Sequence, residues 1–134
     1  MLNEYKRPGK AAGGGFYDYP ANGRKHLWPE LKQRFEKPDG MIPAEDVRDR
    51  ILFVQAIETV RCVEEGVLLS TADANIGSIF GIGFAAWSGG ALQFINQYGL
   101  QDFIARAQYL AEQYGERFEP PALLLDKALR NETF

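Results

Sequence analysis

Between Pro43 and Gly66 the apolar positions recur at helical spacing. Ile51, Leu52, Phe53, Val54, Ile57, Val60 and Val63 fall nearly all round such a helix. A helix apolar on most sides belongs at the centre of a bundle. Pro43 suits a first turn, and Glu45, Asp46 and Asp49 put negative charge at the positive end of the dipole. Gly66 is the expected stop. The pattern predicts a buried central helix over about 44–65.

Shorter helices are predicted after it. Ser70 or Thr71 caps one over 72–80, and 91–98 forms a second that Gly99 stops. A third spans 101–114, with Phe103, Ala107, Leu110 and Tyr114 as its stripe and Gly115 at its end. Pro120-Pro121 opens a last helix carrying Leu123, Leu124, Leu125 and Leu129, and residues 81–90 read as an irregular glycine loop. Ahead of the central helix the signals are weaker. Residues 1–15 read as a flexible lead-in, Phe16 to Tyr19 as a short strand, and 26–35 as a short helix broken by Pro38-Asp39-Gly40. The expected fold is all-α: a compact helical bundle around the 44–65 helix, with a short irregular or strand-like N-terminal segment.

Composition changes this picture little. The 134 residues are 46% hydrophobic and 25% charged, which fits a globular domain, and the net charge of −3 gives no basic field for nucleic acid. Residues 1–37 carry eight Lys or Arg against four Asp or Glu, so the remainder carries seven against fourteen. The basic stretch could attract a phosphate-rich ligand, but a solvated linker is the plainer expectation. The start of the chain has no apolar run of the signal-peptide kind. Residues 74–101 hold no charge, which is long enough for a membrane span. Five glycines in that stretch, Gly77, Gly81, Gly83, Gly89 and Gly90, argue instead for small residues closely packed in a core, with no transmembrane segment expected.

Candidate chemistry is sparse. Gly81-Ile82-Gly83-Phe84-Ala85-Ala86 matches the dinucleotide pattern GxGxxA, but no strand is expected before it and no βαβ unit around it. Cys62 and His26 are each the only residue of their kind. Cys62 is expected as an inert core thiol rather than a nucleophile, and a zinc site has too few ligands. Glu58, Arg61 and Glu65 share a helix face, and a partly buried ion cluster is expected there rather than acid–base chemistry. Asp73 is expected to meet free backbone N–H groups at a helix start.

Taken in order, these segments resemble one family. Gly13-Gly14-Gly15-Phe16-Tyr17-Asp18-Tyr19 resembles the GFYDY segment of 3-hydroxyacyl-CoA dehydrogenases. The stretch from Glu58 to Val67 is similar to the family's E-x-x-R-C-x-E-x-G helix end. Residues 72–77 and 81–90 resemble the DADxG and GxGFPxxxGG signatures of its C-terminal helical domain, with Ala85 where the family has proline. Phe94-Ile95, Gly99, Tyr114-Gly115, Pro120 and the closing Asn131-Glu132-Thr133-Phe134 continue the likeness. The order is most similar to the end of the multifunctional α-subunit of fatty acid oxidation complexes.

The resemblance implies a specific organisation. Residues 1–40 would be the tail of a preceding helical domain and a linker, and 41–134 a second C-terminal helical domain. The parent would be an NAD-dependent, cytoplasmic enzyme of fatty acid β-oxidation that also carries an enoyl-CoA hydratase. Its catalytic His–Glu pair and NAD fingerprint belong to an upstream domain, so no catalytic, cofactor or metal residue carries over to this chain. Glu58, Arg61, Glu65, Asp73, Gly77, Gly81, Gly83, Phe84, Gly89 and Gly90 carry over as structural motif residues. Implied partners are the sister helical and NAD-binding domains, with a thiolase subunit or a second copy as further candidates. The alternatives are a free-standing helical binding or dimerisation module, and a domain that itself contributes to acyl-CoA binding.

Overall fold

The computed structural model describes residues 1–36 and 40–134. The chain divides into two units, Met1–Met41 and Ile42–Phe134. The fold is helical, with one two-stranded sheet among the described residues.

The first unit is built around cations rather than a hydrophobic core. It contains α1 (Leu2–Tyr5), a 3-10 turn (Lys10–Ala12), the antiparallel strands β1 (Tyr17–Asp18) and β2 (His26–Leu27), and α2 (Glu30–Phe35). Arg7 ties it together. Its Nε donates to the Gly15 carbonyl at 2.8 Å, its Nη2 pairs with Asp18, and its guanidinium lies 4.7 Å from the centre of the Trp28 ring. Tyr5 packs against Trp28 and Phe35, and Arg34 sits over Tyr5 while paired with Glu30. Residues 1–15 are therefore shaped by the Arg7 contacts instead of forming the open lead-in expected from their glycines. Residues 26–35 also depart from expectation. His26 and Leu27 pair with β1, and the helix begins only at Glu30. Of the predicted break, Pro38 and Asp39 lie outside the described residues.

The second unit holds the hydrophobic core. Its elements are α3 (Ala44–Glu64), α4 (Thr71–Ile82), a 3-10 turn (Ala86–Ser88), α5 (Ala91–Tyr98), α6 (Leu100–Tyr114), a 3-10 turn (Glu116–Phe118) and α7 (Ala122–Leu129). Gly66, at φ 74°, ends α3 in the left-handed conformation. Phe53, Ala56, Ile57 and Val60 of α3 are buried against Leu92 and Ile95 of α5, Phe103 and Leu110 of α6, and Leu124 of α7. The Phe53 and Phe103 rings stack at 4.1 Å, and Phe94 and Tyr98 meet Phe53 edge-on.

Two expectations need correction here. The central helix is not buried on every apolar side, because Ile51 is 58% exposed and Val47 44% exposed. One face of α3 enters the core and another is left open. Gly81, expected at the start of a loop, lies inside α4, which continues to Ile82. Among the described residues, no helix is long and apolar enough to cross a membrane.

Candidate functional site

The glycine-rich signature joins α4 to α5. Asn75 Oδ1 accepts from the backbone N–H groups of Leu92 and Gln93, both at 3.0 Å. Ser78 Oγ accepts from Ala91 N at 3.0 Å and donates to the Asn75 carbonyl. The first amides of α5 are thus capped from α4. The backbone comes close enough for this only because Gly90 has no side chain. A Cβ there would stand 2.5 Å from Asn75 Cα, and its φ is 116°. Phe84, 3% exposed, fills the space behind the turn and packs edge-on to Phe94.

This geometry does not fit a dinucleotide. A pyrophosphate site needs a strand running into a tight turn and free N–H groups at the next helix start. Here the GxGxxA pattern follows a helix, and the amides of Ala91, Leu92 and Gln93 are taken by Ser78 and Asn75.

Asp73 lies in the first turn of α4. Ser70 Oγ accepts from Asp73 N at 3.1 Å and donates to Asp73 Oδ2 at 2.8 Å. The cap on the first-turn amide is therefore the Ser70 hydroxyl, and the Asp73 carboxylate, expected to meet backbone N–H groups, accepts from that hydroxyl instead.

The expected Glu58–Arg61–Glu65 cluster is not assembled as such. Arg61 pairs with Glu58 at 2.9 Å and reaches the Glu119 carbonyl at 3.4 Å, while Glu65 is exposed at the end of α3. The neighbouring Glu64 acts instead, accepting from Leu123 N at 2.7 Å at the start of α7. The Glu58 side chain is 62% exposed and Glu65 is exposed as well, so the cluster has no burial to hold it together.

The buried ion cluster lies elsewhere, and the spacing of residues did not reveal it. Arg106 of α6 donates from Nη2 to Asp46 Oδ1 at 2.6 Å and from Nε to Asp49 Oδ2 at 2.8 Å. Tyr114 and Tyr109 donate to Asp46 Oδ2, at 2.5 and 3.3 Å. Arg48 pairs with Asp49 Oδ1 at 3.0 Å. Asp46 and Asp49 are 3% and 2% exposed. The Tyr114 hydroxyl, and after it Arg106, holds the Asp46 carboxyl below its ordinary range. Burial alone would lower the Arg106 pKa, but hydrogen bonds to Asp46 and Asp49 outweigh it and raise it. The Tyr114 hydroxyl is raised in turn, chiefly by its bond to Asp46. All four carboxylate oxygens have donors, so the cluster locks α3 to α6 and offers no free base. The one available signal was a lone arginine on the buried side of α6, between Phe103 and Leu110.

Cys62 is half-buried rather than a core thiol. It lines an open groove between α3 and α4 with a volume of about 520 Å³. Val54, Leu68, Ala74 and Gly77 contribute apolar walls, and Glu58 and Asp73 bring carboxylates. Beyond it stands an apolar surface, with Phe80 85%, Leu69 88%, Val67 67% and Ile76 58% exposed. Gly77 and Gly81 are exposed as well, and a Cβ on either would meet nothing within 4 Å. The glycines of α4 are therefore not packed into this unit's own core, as expected from the sequence, but leave a flat strip on its outside. His26 belongs to the first unit and lies 3.5 Å from Asp18. Among the described residues no group of three or more His, Cys, Asp or Glu is placed to hold a metal. No protein-family model matches the chain.

Proposed function

We propose that this chain is a structural and interaction domain of an NAD-dependent 3-hydroxyacyl-CoA dehydrogenase of fatty acid β-oxidation, a cytoplasmic multifunctional enzyme. In this reading the second unit packs on a sister helical domain and keeps the acyl-CoA cleft in shape. Catalysis and NAD binding stay with upstream domains. The observation that carries the proposal is the uncovered apolar face of α4 with its groove against α3. Contiguous exposed apolar surface of this kind marks an interaction site rather than ordinary solvent-facing surface. The ordered motifs support the family assignment, since Gly83, Phe84 and Gly90 serve the α4–α5 joint while Asp73 bonds to Ser70 at the start of α4.

Direct participation in acyl-CoA binding is the second reading, and the apolar groove is the feature that favours it. Glu58 and Asp73 on its lining oppose the phosphates of CoA. Titrating NAD and an acyl-CoA into the chain by calorimetry separates the readings. The scaffold reading expects weak or no binding of either, and micromolar NAD binding would refute it. Dehydrogenase activity of the NAD-binding and first helical domains should rise when this chain is added; no change would count against the scaffold role.

A further inference from the structure

The groove between α3 and α4 is a trough lined by one row of residues from each helix. Its α3 wall is the row Val54, Glu58 and Cys62, and its α4 wall includes Asp73 and Gly77, each row at the i, i+4 spacing that runs along a helix. Eight residues of α3 at 1.5 Å each give a length of about 12 Å, or roughly two helical turns. The floor is Ala74, Leu68 and Thr59, and Thr59 is occupied by its own bond to the Gln55 carbonyl. The trough therefore asks for apolar contact along a line, with no buried polar group seeking a partner.

Its charge narrows the occupant further. The lining includes two carboxylates, Glu58 and Asp73, and no Lys or Arg. Arg61 neutralises Glu58 in part, through Oε2, but is itself no part of the lining. Asp73 is bonded only to neutral groups of Ser70. An anionic ligand is disfavoured there, and so is a second copy presenting the same acidic rim. The open strip at Gly77 and Gly81 lets an approaching backbone come close, and Phe80 and Ile76 stand ready to wrap its side.

We infer that the α3–α4 trough binds an amphipathic α-helix of a partner polypeptide, one whose apolar stripe is flanked by Lys or Arg that meet Glu58 and Asp73. This deepens the interaction-domain reading and rests on it. The two fail separately, because the binding measurement below involves neither NAD nor dehydrogenase activity.

The test uses two fluorescent synthetic peptides of about 18 residues, long enough to form helix. Both carry the same Leu/Ala stripe; one has Lys flanks, the other Glu. Anisotropy titration of the chain should show the Lys peptide binding roughly tenfold or more tighter, with the gap closing as salt is raised. Glu58→Gln should narrow the gap at low salt. Gly77→Leu should abolish binding by filling the trough, and Gly77→Ala should weaken it, with circular dichroism showing both folded. Equal affinity for the two peptides would overturn the inference. So would unchanged binding in the folded Gly77 variants, displacement of the peptide by a fatty acyl-CoA, or self-association of the chain that Gly77→Leu disrupts.

Discussion

Arg106 and Asp49 stand 57 residues apart in sequence, and Arg106 Nε donates to Asp49 Oδ2 at 2.8 Å, with the arginine side chain 19% exposed. The contact joins the start of the longest helix to the middle of α6. It also places a positive charge against two carboxylates that are only 2% and 3% exposed.

Removing that charge should be costly. Arg106→Ala leaves Asp46 buried without its cation and Asp49 with only Arg48, and loss of one partner from a buried cluster destabilises by about 3 kcal/mol. Arg61→Ala is expected to cost no more than about 1 kcal/mol, because its pair with Glu58 is open to solvent. Urea unfolding of the two variants beside the parent chain checks the contrast. Equal losses would mean that the wrong cluster has been identified as the lock.

Acid should weaken the same lock. Asp46 titrates lower in the folded chain than when unfolded, first because of Tyr114 and then Arg106. Its contribution is therefore present above the ordinary carboxylate value, about pH 4, and is lost as pH falls through the lower folded value. Unfolding free energy measured from neutral to strongly acidic pH should drop along that limb, and Asp46→Asn should flatten it. The NMR titration of the Asp46 carboxyl carbon should have its midpoint below that of an unfolded peptide.

Glycines of the signature should divide into two kinds. Gly90→Ala drives a Cβ into Asn75 at 2.5 Å in a left-handed backbone conformation, and should strongly impair folding or detach the start of α5. Gly77→Ala meets open space inside a helix and should stabilise by about 0.5–1 kcal/mol. Melting temperatures that move in opposite directions would bear this out. Destabilisation by Gly77→Ala would show that the strip is needed by the unit's own fold.

The position where the resembling family has proline offers a gain. Ala85 has φ −55°, within the range a proline ring imposes. Ala85→Pro is expected to raise stability by about 0.5 kcal/mol by restricting the unfolded chain. A fall in melting temperature would show that the turn after Phe84 depends on the Ala85 N–H.

Some of this site was legible in advance. The Ser70 cap is a local event, set by side chains three residues from the amides they serve, and the pattern around Ser70 and Asp73 announced it. The Asn75 clasp was not legible, since its acceptor and donors are 17 and 18 residues apart and meet only once α4 and α5 pack. Asp46 and Asp49 illustrate how a correct local reading falls short. They do sit at the start of a helix, as their dipole role requires, yet their decisive partner comes from another element.

By itself, then, the amino-acid sequence determined where most helices of the second unit start and stop, because capping residues, glycine stops and apolar spacing act within one or two turns. Tertiary structure alone decided which faces of those helices are covered. Whether Ile51, Gly77 or Phe80 is core or surface depends on which neighbour arrives, and periodicity reports only that a face is apolar. On α4 no neighbour in the second unit covers that face. The uncharged glycine stretch that suggested a closely packed core therefore forms, in part, an uncovered surface of the second unit.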